Sequence, residues 1–584
     1  MRVRHRSARL PAGRFADTRV GGRRQRAGIA LRLSVGSLLG VVLALTNAWG
    51  QTRPGTVQPG QVERQLEKPR EPSARPGVIT IPEPGQTPPP NAAGIQFVLN
   101  HVTVDGVTIY QDGALRRLYA GSLGREVTLA DVYRIVDALT ARYRNDGYIL
   151  SQVIVPAQSV ENGAVRLQAI EGYIAGVRVE GGSAAMNARV RRYIEKLRAV
   201  RPLTAAALER SVLLVNDIPG VWARAVLTPS STPGAADLVL VVSQRPFATG
   251  LSVDTRGSRA QGRQRVFADV GLHSLFGGAS LTELRGVSTA DRELGYFAAA
   301  HDQLVGSGGA MIGVAGSYVY SRPQELAFIP LELTTTSQAF TLHVTHPLVR
   351  SRARNLHARA VVSVFDSRTE VFGVKDTADR LRAVRLGLTF DASDGLGGIS
   401  LADLEFSQGI DALGASTNGD EYLSRPTGRS DFRKATLYAA RLQSLPAHWS
   451  IALVLNAQYA LTDLLSPELF AVGGEQFGRG YDFAELLNDH GIAAKLDLRY
   501  SHAWTGRRPA TLMPYAFVDF GQVWQRTRFP GLDASQSAAS AGGGFRLGLG
   551  HQLSAFVEFA KPLTKTIGQE KNRKGRIYAG LSVQ

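Results

Sequence analysis

A chain of 584 residues is too long for one compact core and points to roughly two to four domains; 44% hydrophobic and 20% charged residues is a globular balance. Cysteine is absent, which excludes disulfide staples, thiolate metal sites and a cysteine nucleophile, and suits a protein that crosses an oxidising compartment unfolded. The net charge of +18 raises nucleic acid as a partner, so its location has to be settled before its size is used.

Half of that charge lies in residues 1–32, where arginines from Arg2 to Arg32 stand against Asp17 alone. An apolar run from Leu33 to Ala48 follows and ends in Ala48-Trp49-Gly50. A basic region, a short apolar core and small residues at the cut predict a signal peptide over 1–50, read by the general secretion route. The apolar core is shorter than the ~18 residues a membrane-spanning helix needs. With the leader removed, nucleic acid loses its main support as a partner. Residues 51–94 form a proline-rich linker. Within it, Gly60 to Arg70 (GQVERQLEKPR) predicts a helix over about 60–70 that Pro69 ends. Such a short helix is marginal alone and needs a docking site.

Two units of similar layout follow, over 95–172 and 173–245. The first opens on an alternating strand, Phe97 to Val104. A helix starts at Thr128, with Asp131 completing a capping box, and Leu129, Val132, Val136, Leu139 and Tyr143 share one face. Asn145-Asp146-Gly147 stops it, and strands Tyr148 to Val155 and Ala164 to Ile170 close the unit. The second unit has a strand at Ile174 to Glu180, helices near Ala185 to Leu197 and Thr204 to Asn216, then strands Trp222 to Thr228 and Asp237 to Ser243. Both are read as β-α-α-β-β units, a repeat of architecture.

From 246 to 584 the period becomes two. Val384, Leu386, Leu388 and Phe390 alternate with Arg385, Gly387, Thr389 and Asp391; Ala494, Leu496, Leu498 and Tyr500 alternate with Lys495, Asp497, Arg499 and Ser501; Leu356 to Val364 is a third case. Charges on every second position demand water on one side, while the other side is apolar enough for lipid. Backbone groups at membrane depth must all be paired, so the strands must close. At ~20 to 22 residues per strand and turn, this half predicts a transmembrane antiparallel barrel of about sixteen strands.

Two segments carry the most specific signal. In Tyr515 to Trp524 (YAFVDFGQVW), Ala516, Val518 and Phe520 face lipid, so parity turns Tyr515, Phe517, Asp519 and Gly521 inward. In Gly473 to Asp482 (GGEQFGRGYD), glycines flank Arg479 at the tip of a loop that can fold into the lumen and pair its guanidinium with an inner-wall carboxylate. These residues resemble the two-partner secretion transporters, the haemolysin secretion/activation family within the POTRA-barrel superfamily. Gly478-Arg479-Gly480-Tyr481 is similar to the Val-Arg-Gly-Tyr loop motif, with Gly478 in place of Val. Phe517-Val518-Asp519-Phe520-Gly521 is similar to the Phe-x-Asp-x-Gly wall motif. Gly147-Tyr148, Pro156, Gln158, Gly163 and Glu171-Gly172 resemble the family's first POTRA domain, and Gly60 to Arg70 its plug helix. The chain ends in Val583-Gln584 where the assembly signal expects an aromatic residue, which puts insertion efficiency in question.

The resemblance implies two periplasmic POTRA domains before an outer membrane barrel, with Arg479 and Asp519 paired as a pore-loop lock. It implies a pore that recognises a large secreted exoprotein through its N-terminal secretion domain and exports it unfolded. Capture by strand addition is the physical basis, on the strands of the first unit and the second helix of the second. Outer membrane lipid, and the barrel assembly machinery during biogenesis, are the remaining partners of an expected monomer. No Gly-x-Ser-x-Gly elbow, metal-spaced histidine pair or Walker loop is present, so no enzyme, metal or cofactor is expected. A membrane-protein insertase of the same superfamily is the main alternative, and a passive porin, which needs no POTRA units, is weaker.

Overall fold

The structure, a computed structural model, describes residues 55–58, 60–66, 72, 79–80 and 86–584 apart from 112, 233, 276–277, 326–327, 508, 529–532, 551 and 569. The expected signal peptide, and residues 67–70 at the end of the expected plug helix, lie outside the described residues. What is described of that helix is α1, Gln61–Leu66; further along the linker, β1 spans Ile79–Thr80.

The first unit comprises β2 (Gln96–Leu99), β3 (His101–Asp105), β4 (Arg125–Thr128), α2 (Leu129–Asn145), β5 (Gln152–Ile154) and β6 (Ala164–Ile170). Its opening strand is broken at Asn100, so that β2 pairs with β4 while β3 runs parallel to β6. The place of a first helix is taken by two 3-10 turns, Arg116–Leu118 and Ala120–Ser122. α2 starts as its sequence dictates: the Thr128 hydroxyl accepts from the Asp131 amide and the Asp131 carboxylate accepts from the Thr128 amide. The strand expected from Tyr148 to Val155 is only Gln152–Ile154, because Tyr148 and Ser151 spend their amides on turn bonds to the carbonyls of Tyr143 and Tyr148. Leu99, Val132, Leu139, Tyr143 and Leu167 form the core.

The second unit follows with β7 (Tyr173–Gly181), α3 (Ala184–Ile194), α4 (Ala205–Asn216), β8 (Val221–Pro229) and β9 (Ala235–Gln244). Its sheet has the order β1-β8-β9-β7, the linker supplying the outer strand. Ile174, Ile194, Leu208, Val215 and Leu240 are buried beneath the two helices. The units are joined by more than the chain: Ala205 and Leu203 donate backbone hydrogen bonds to the carbonyls of Gly147 and Gly172, each 2.8 Å long.

The remaining strands are β10 (Phe247–Asp254), β11 (Arg265–His273), β12 (Ser280–Thr289), β13 (Leu294–Val305), β14 (Ala310–Ser321), β15 (Thr334–Arg350), β16 (Arg354–Val371), β17 (Val374–Ser393), β18 (Gly398–Gly409), β19 (Arg433–Ser444), β20 (Trp449–Ala460), β21 (Phe470–Val472), β22 (Leu486–Asn488), β23 (His490–Tyr500), β24 (His502–Trp504), β25 (Ala510–Trp524), β26 (Ser535–Leu549), β27 (Leu553–Pro562) and β28 (Arg576–Val583). β21 and β22 make a separate hairpin inside the loop between β20 and β23. β23 and β24 are two pieces of one strand, since both pair with β25. The rest close into an antiparallel barrel of sixteen strands, sealed by β10 against β28 with Leu251 opposite Val583. This closure leaves no sheet edge, as strands facing lipid require.

Parity sorts the side chains. Leu386, Val518 and Phe340 are more than half exposed on the outside, while Asp497 and Asp519 on the inside are buried. The two ends differ as well. Short turns join β11 to β12, β13 to β14 and β15 to β16, whereas the opposite end carries long loops such as 410–432 and 461–489. The second unit sits on the short-turn end. Ala279, Leu304 and Met311 pack into its core, and Arg350 donates two hydrogen bonds, 2.8 and 2.7 Å, to Asp217 after α4.

Candidate functional site

Two elements fill the lumen. The first is α1. Val62 and Leu66 bury against Phe267, Val287, Leu294 and Val319 of the inner wall, so the short helix gains from docking the stability it lacks alone. The second is the 461–489 loop, whose Phe470, Val472, Phe477, Tyr481 and Leu486 pack on Ala493, Val523 and Ala538 of the wall.

Helix and loop also meet each other. Gln61 donates to the Ser466 carbonyl at 2.7 Å, and Arg64 donates to the carbonyls of Pro467 and Leu469 at 2.5 Å each. Behind them Glu468, buried, accepts from Arg385 Nη2 at 2.7 Å and lies 2.7 Å from Lys434 Nζ and 3.7 Å from Arg64. Arg285 donates to the Leu66 carbonyl, 2.8 Å, and Ser337 donates to Glu63. Sequence reading placed Gln61 and Arg64 on the docking helix without their partners, and it missed Lys434 and Glu468, because no motif marks them and their partners are distant in sequence.

The loop tip holds a second buried charge cluster. The Arg479 amide donates to Asp519 Oδ2 at 2.8 Å, and its guanidinium donates to Asp519 Oδ1 at 2.6 Å and to Asp497 Oδ1 at 2.7 Å. Glu558 lies 3.6 Å from Nη1, and the guanidinium carbon stands 3.5 Å from the Phe517 ring centroid. A planar fork can serve two carboxylates and stack on a ring at once, which an ammonium cannot. Ser540 donates to Asp519, Arg499 to Asp497 and Tyr515 to Glu558, so each acid has a second donor. Asp497 and Glu558 were not singled out from the sequence, although Asp497 falls on the inward parity of its strand.

The neighbouring motif residues are steric and polar supports. Gly480 lies against the wall backbone, where a Cβ would come within 2.8 Å of the Pro562 nitrogen; at Gly521 a Cβ would come within 2.4 Å of Val472 in the loop hairpin. Gly478 has φ +99°, a conformation that L side chains rarely adopt, which suits glycine in place of the motif's valine. Tyr481 is buried, and its hydroxyl donates to the Ala539 carbonyl at 3.1 Å and accepts from the Lys565 amide. Asp482, next in sequence, takes two hydrogen bonds from Arg576 on the last strand.

The residues singled out in the first unit stand apart from the lumen and organise that unit's fold. Glu171 accepts from the amides of Thr108 and Ile109 and from the Tyr143 hydroxyl. Burial first, and then Glu171, hold the Tyr143 phenol well above its ordinary range; burial and Asp146 push Tyr110 up to about 12. Gln158 spans from the Pro156 carbonyl to Arg166, accepting from its amide and donating to its carbonyl. Gly163 and Gly172 touch the Val98 and Leu150 backbones too closely for a Cβ, and Gly147 has φ +92° ahead of Tyr148, which packs on the core.

A family model described as haemolysin secretion/activation protein ShlB/FhaC/HecB matches residues 234–547. The chain belongs to this family. A second model, POTRA domain, ShlB-type, matches residues 97–172. The ShlB/FhaC/HecB family is one of outer membrane transporters, and the curated relatives bear names of that kind. The heme/hemopexin transporter protein HuxB of Haemophilus influenzae is 24% identical over 495 residues, 81% of this chain and 85% of that protein. The outer membrane transporter CdiB of Dickeya dadantii is 23% identical over 462 residues, 76% and 79% of the two chains. The solved structure of CdiB from Escherichia coli superposes with a TM-score of 0.68 at 18% identity, covering 95% of this chain and 98% of that one, a likeness of fold.

Proposed function

We propose that this chain is an outer membrane pore that recognises one large exoprotein through an N-terminal secretion domain and releases it unfolded by two-partner secretion. The observation that carries the reading is the twofold occupation of a polar lumen. α1 and the 461–489 loop block it, and beside their apolar packing on the wall they are tied to each other and to the wall by hydrogen bonds and ion pairs. The polar contacts among these are ones that water and a passing chain can replace, which suits occupants that leave.

In this reading the short-turn end, where the second unit docks, faces the periplasm, and the long loops face outward. The leader directs export by the general secretion route, the assembly machinery inserts the barrel into lipid, and the protein acts as a monomer. Arg479 and Asp519 act as the lock of the pore loop. The POTRA units catch the exoprotein by strand addition, and its folding outside supplies direction, since no nucleotide motif is present in the sequence. The test is deletion of the gene. Disappearance of one large exoprotein from the medium, with restoration by the wild-type chain, is the expected result; an unchanged set of secreted proteins refutes the reading.

A further inference from the structure

β17 has twenty residues, about twice the ~10 that a tilted crossing needs. Its outermost pair with β18 joins Ala383 to Gly409, so the residues before Ala383 stand at the long-loop end without β18 beside them. The 410–432 loop takes that place. The Ile410 and Ser416 amides donate to the Arg382 and Arg380 carbonyls at 2.7 and 2.9 Å, and the Ala378 amide donates to the Tyr422 carbonyl at 2.6 Å. The Ser424 amide donates to Oδ1 of the buried Asp379 at 3.0 Å. The loop is thereby fixed to a wall strand rather than left to solvent.

From this base two side chains reach the neck of the pore loop. The Arg425 guanidinium donates to both carboxylate oxygens of Asp489, at 2.6 and 3.1 Å, and to the Leu464 carbonyl at 2.6 Å. The Leu464 amide in turn donates to Asp489, 2.9 Å. One planar fork thus holds the outgoing and the returning ends of the loop together. Two residues past Leu464, the Ser466 amide donates to the Ser424 hydroxyl at 3.0 Å, while the Ser466 carbonyl accepts from Gln61 of α1. Between these contacts the two loops touch: a Cβ on Gly428 would come within 2.5 Å of Leu465 Cδ2. Leu381 of β17, Leu423 and Phe432 of the outer loop, and Leu464, Leu465 and Leu469 of the neck share one apolar cluster.

We propose that Arg425 is a positioning residue for α1: the 410–432 loop holds residues 464–468 in the place from which they grip the helix, so a loop at the outer end of the barrel governs release of the helix in the lumen. The proposal rests on the export function proposed above and adds a second hold on the closed pore. The relay is short, since Ser466 is held from the outer loop by its amide and holds Gln61 by its carbonyl. Arg64 grips the same stretch through the carbonyls of Pro467 and Leu469. The two holds fix different parts of one loop. Arg479 ties the tip to β23 and β25, whereas Arg425 ties the neck to a base on β17. Breaking the neck contact therefore frees residues 464–468 while the tip stays docked.

The test uses the full chain, purified in detergent. The protein has no cysteine, so a thiol placed at the buried Val62 of α1 reports alone. The rate at which a maleimide labels Val62→Cys is measured in the otherwise unchanged chain and with Arg425→Ala or Arg425→Lys added. Arg425→Ala is expected to raise the rate at least about tenfold, and Arg425→Lys, with one ammonium for the fork, to fall between. Proteolysis across residues 473–482 and heat-modifiable mobility are expected to stay as in the unchanged chain. Equal labelling of all three proteins overturns the proposal. So does faster labelling that comes with a cleaved tip or lost mobility, because Arg425 then merely holds the loop's fold. The labelling needs no cargo. If deletion of the gene removes no exoprotein from the medium, the export function fails, while the rates still decide the role of Arg425.

Discussion

Replacing Arg479 with alanine removes the one cation that Asp519 and Asp497 share, and leaves those two acids and Glu558 together in a buried cluster. Truncating one partner of a buried ion pair costs ~3–5 kcal/mol, against ~1 kcal/mol or less for an exposed pair. Other donors survive: the backbone amide at 479 still reaches Asp519, Ser540 and Arg499 remain on the two aspartates, and Tyr515 and Arg256 remain on Glu558. These place the effect at the low end, about 3 kcal/mol, which lowers the equilibrium constant for docking of the loop by ~10². Arg479→Lys, with one point charge for two carboxylates, falls between. Limited proteolysis across residues 473–482 reads the docking, heat-modifiable electrophoretic mobility reads whether the barrel is still closed, and exoprotein in the medium reads export. The expected outcome is a cleavable loop, an intact barrel and cargo held in the periplasm. A loop as protected as in wild type, together with normal export, refutes the reasoning.

Gly521→Val adds a side chain where a Cβ already comes within 2.4 Å of Val472, so the loop hairpin has to move off the wall; proteolysis should resemble that of Arg479→Ala, with the barrel still inserted. A Gln61→Ala/Arg64→Ala pair removes three hydrogen bonds from α1 to residues 466–469. At ~0.5–1.5 kcal/mol each, the open probability of single pores in a planar bilayer should rise at least about tenfold. Glu171→Ala strips the acceptor from Thr108, Ile109 and Tyr143, and should cost ~2–3 kcal/mol locally, seen as faster hydrogen exchange of the 106–110 amides in the full chain.

Features set by neighbours in sequence were legible. The capping box at Thr128 and Asp131 is a local exchange of hydrogen bonds, and the lipid and lumen sides of β25 follow from parity alone, with Val518 out and Asp519 in. The opening strand of the first unit was read as continuous because its apolar pattern carries through Asn100. What divides it is the Gly163 carbonyl, which accepts from the Asn100 and His101 amides far back in the sequence. The Glu468 cluster was invisible for the same reason. Its meaning depends on the loop entering the lumen and on barrel register placing Lys434 and Arg385 opposite, and neither is written in the residues beside it.

The seam between β10 and β28 joins Leu251 to Val583, so the two strands that complete the cylinder are separated by nearly all of its own chain. Pairings this distant in sequence form late and slowly, since the whole intervening polypeptide must first be ordered. Until the final strand arrives, every intermediate exposes two raw flanks, and a premature stop or a stalled delivery leaves a ribbon that no bilayer can accept. Completion of the barrel therefore hangs on that one last pairing.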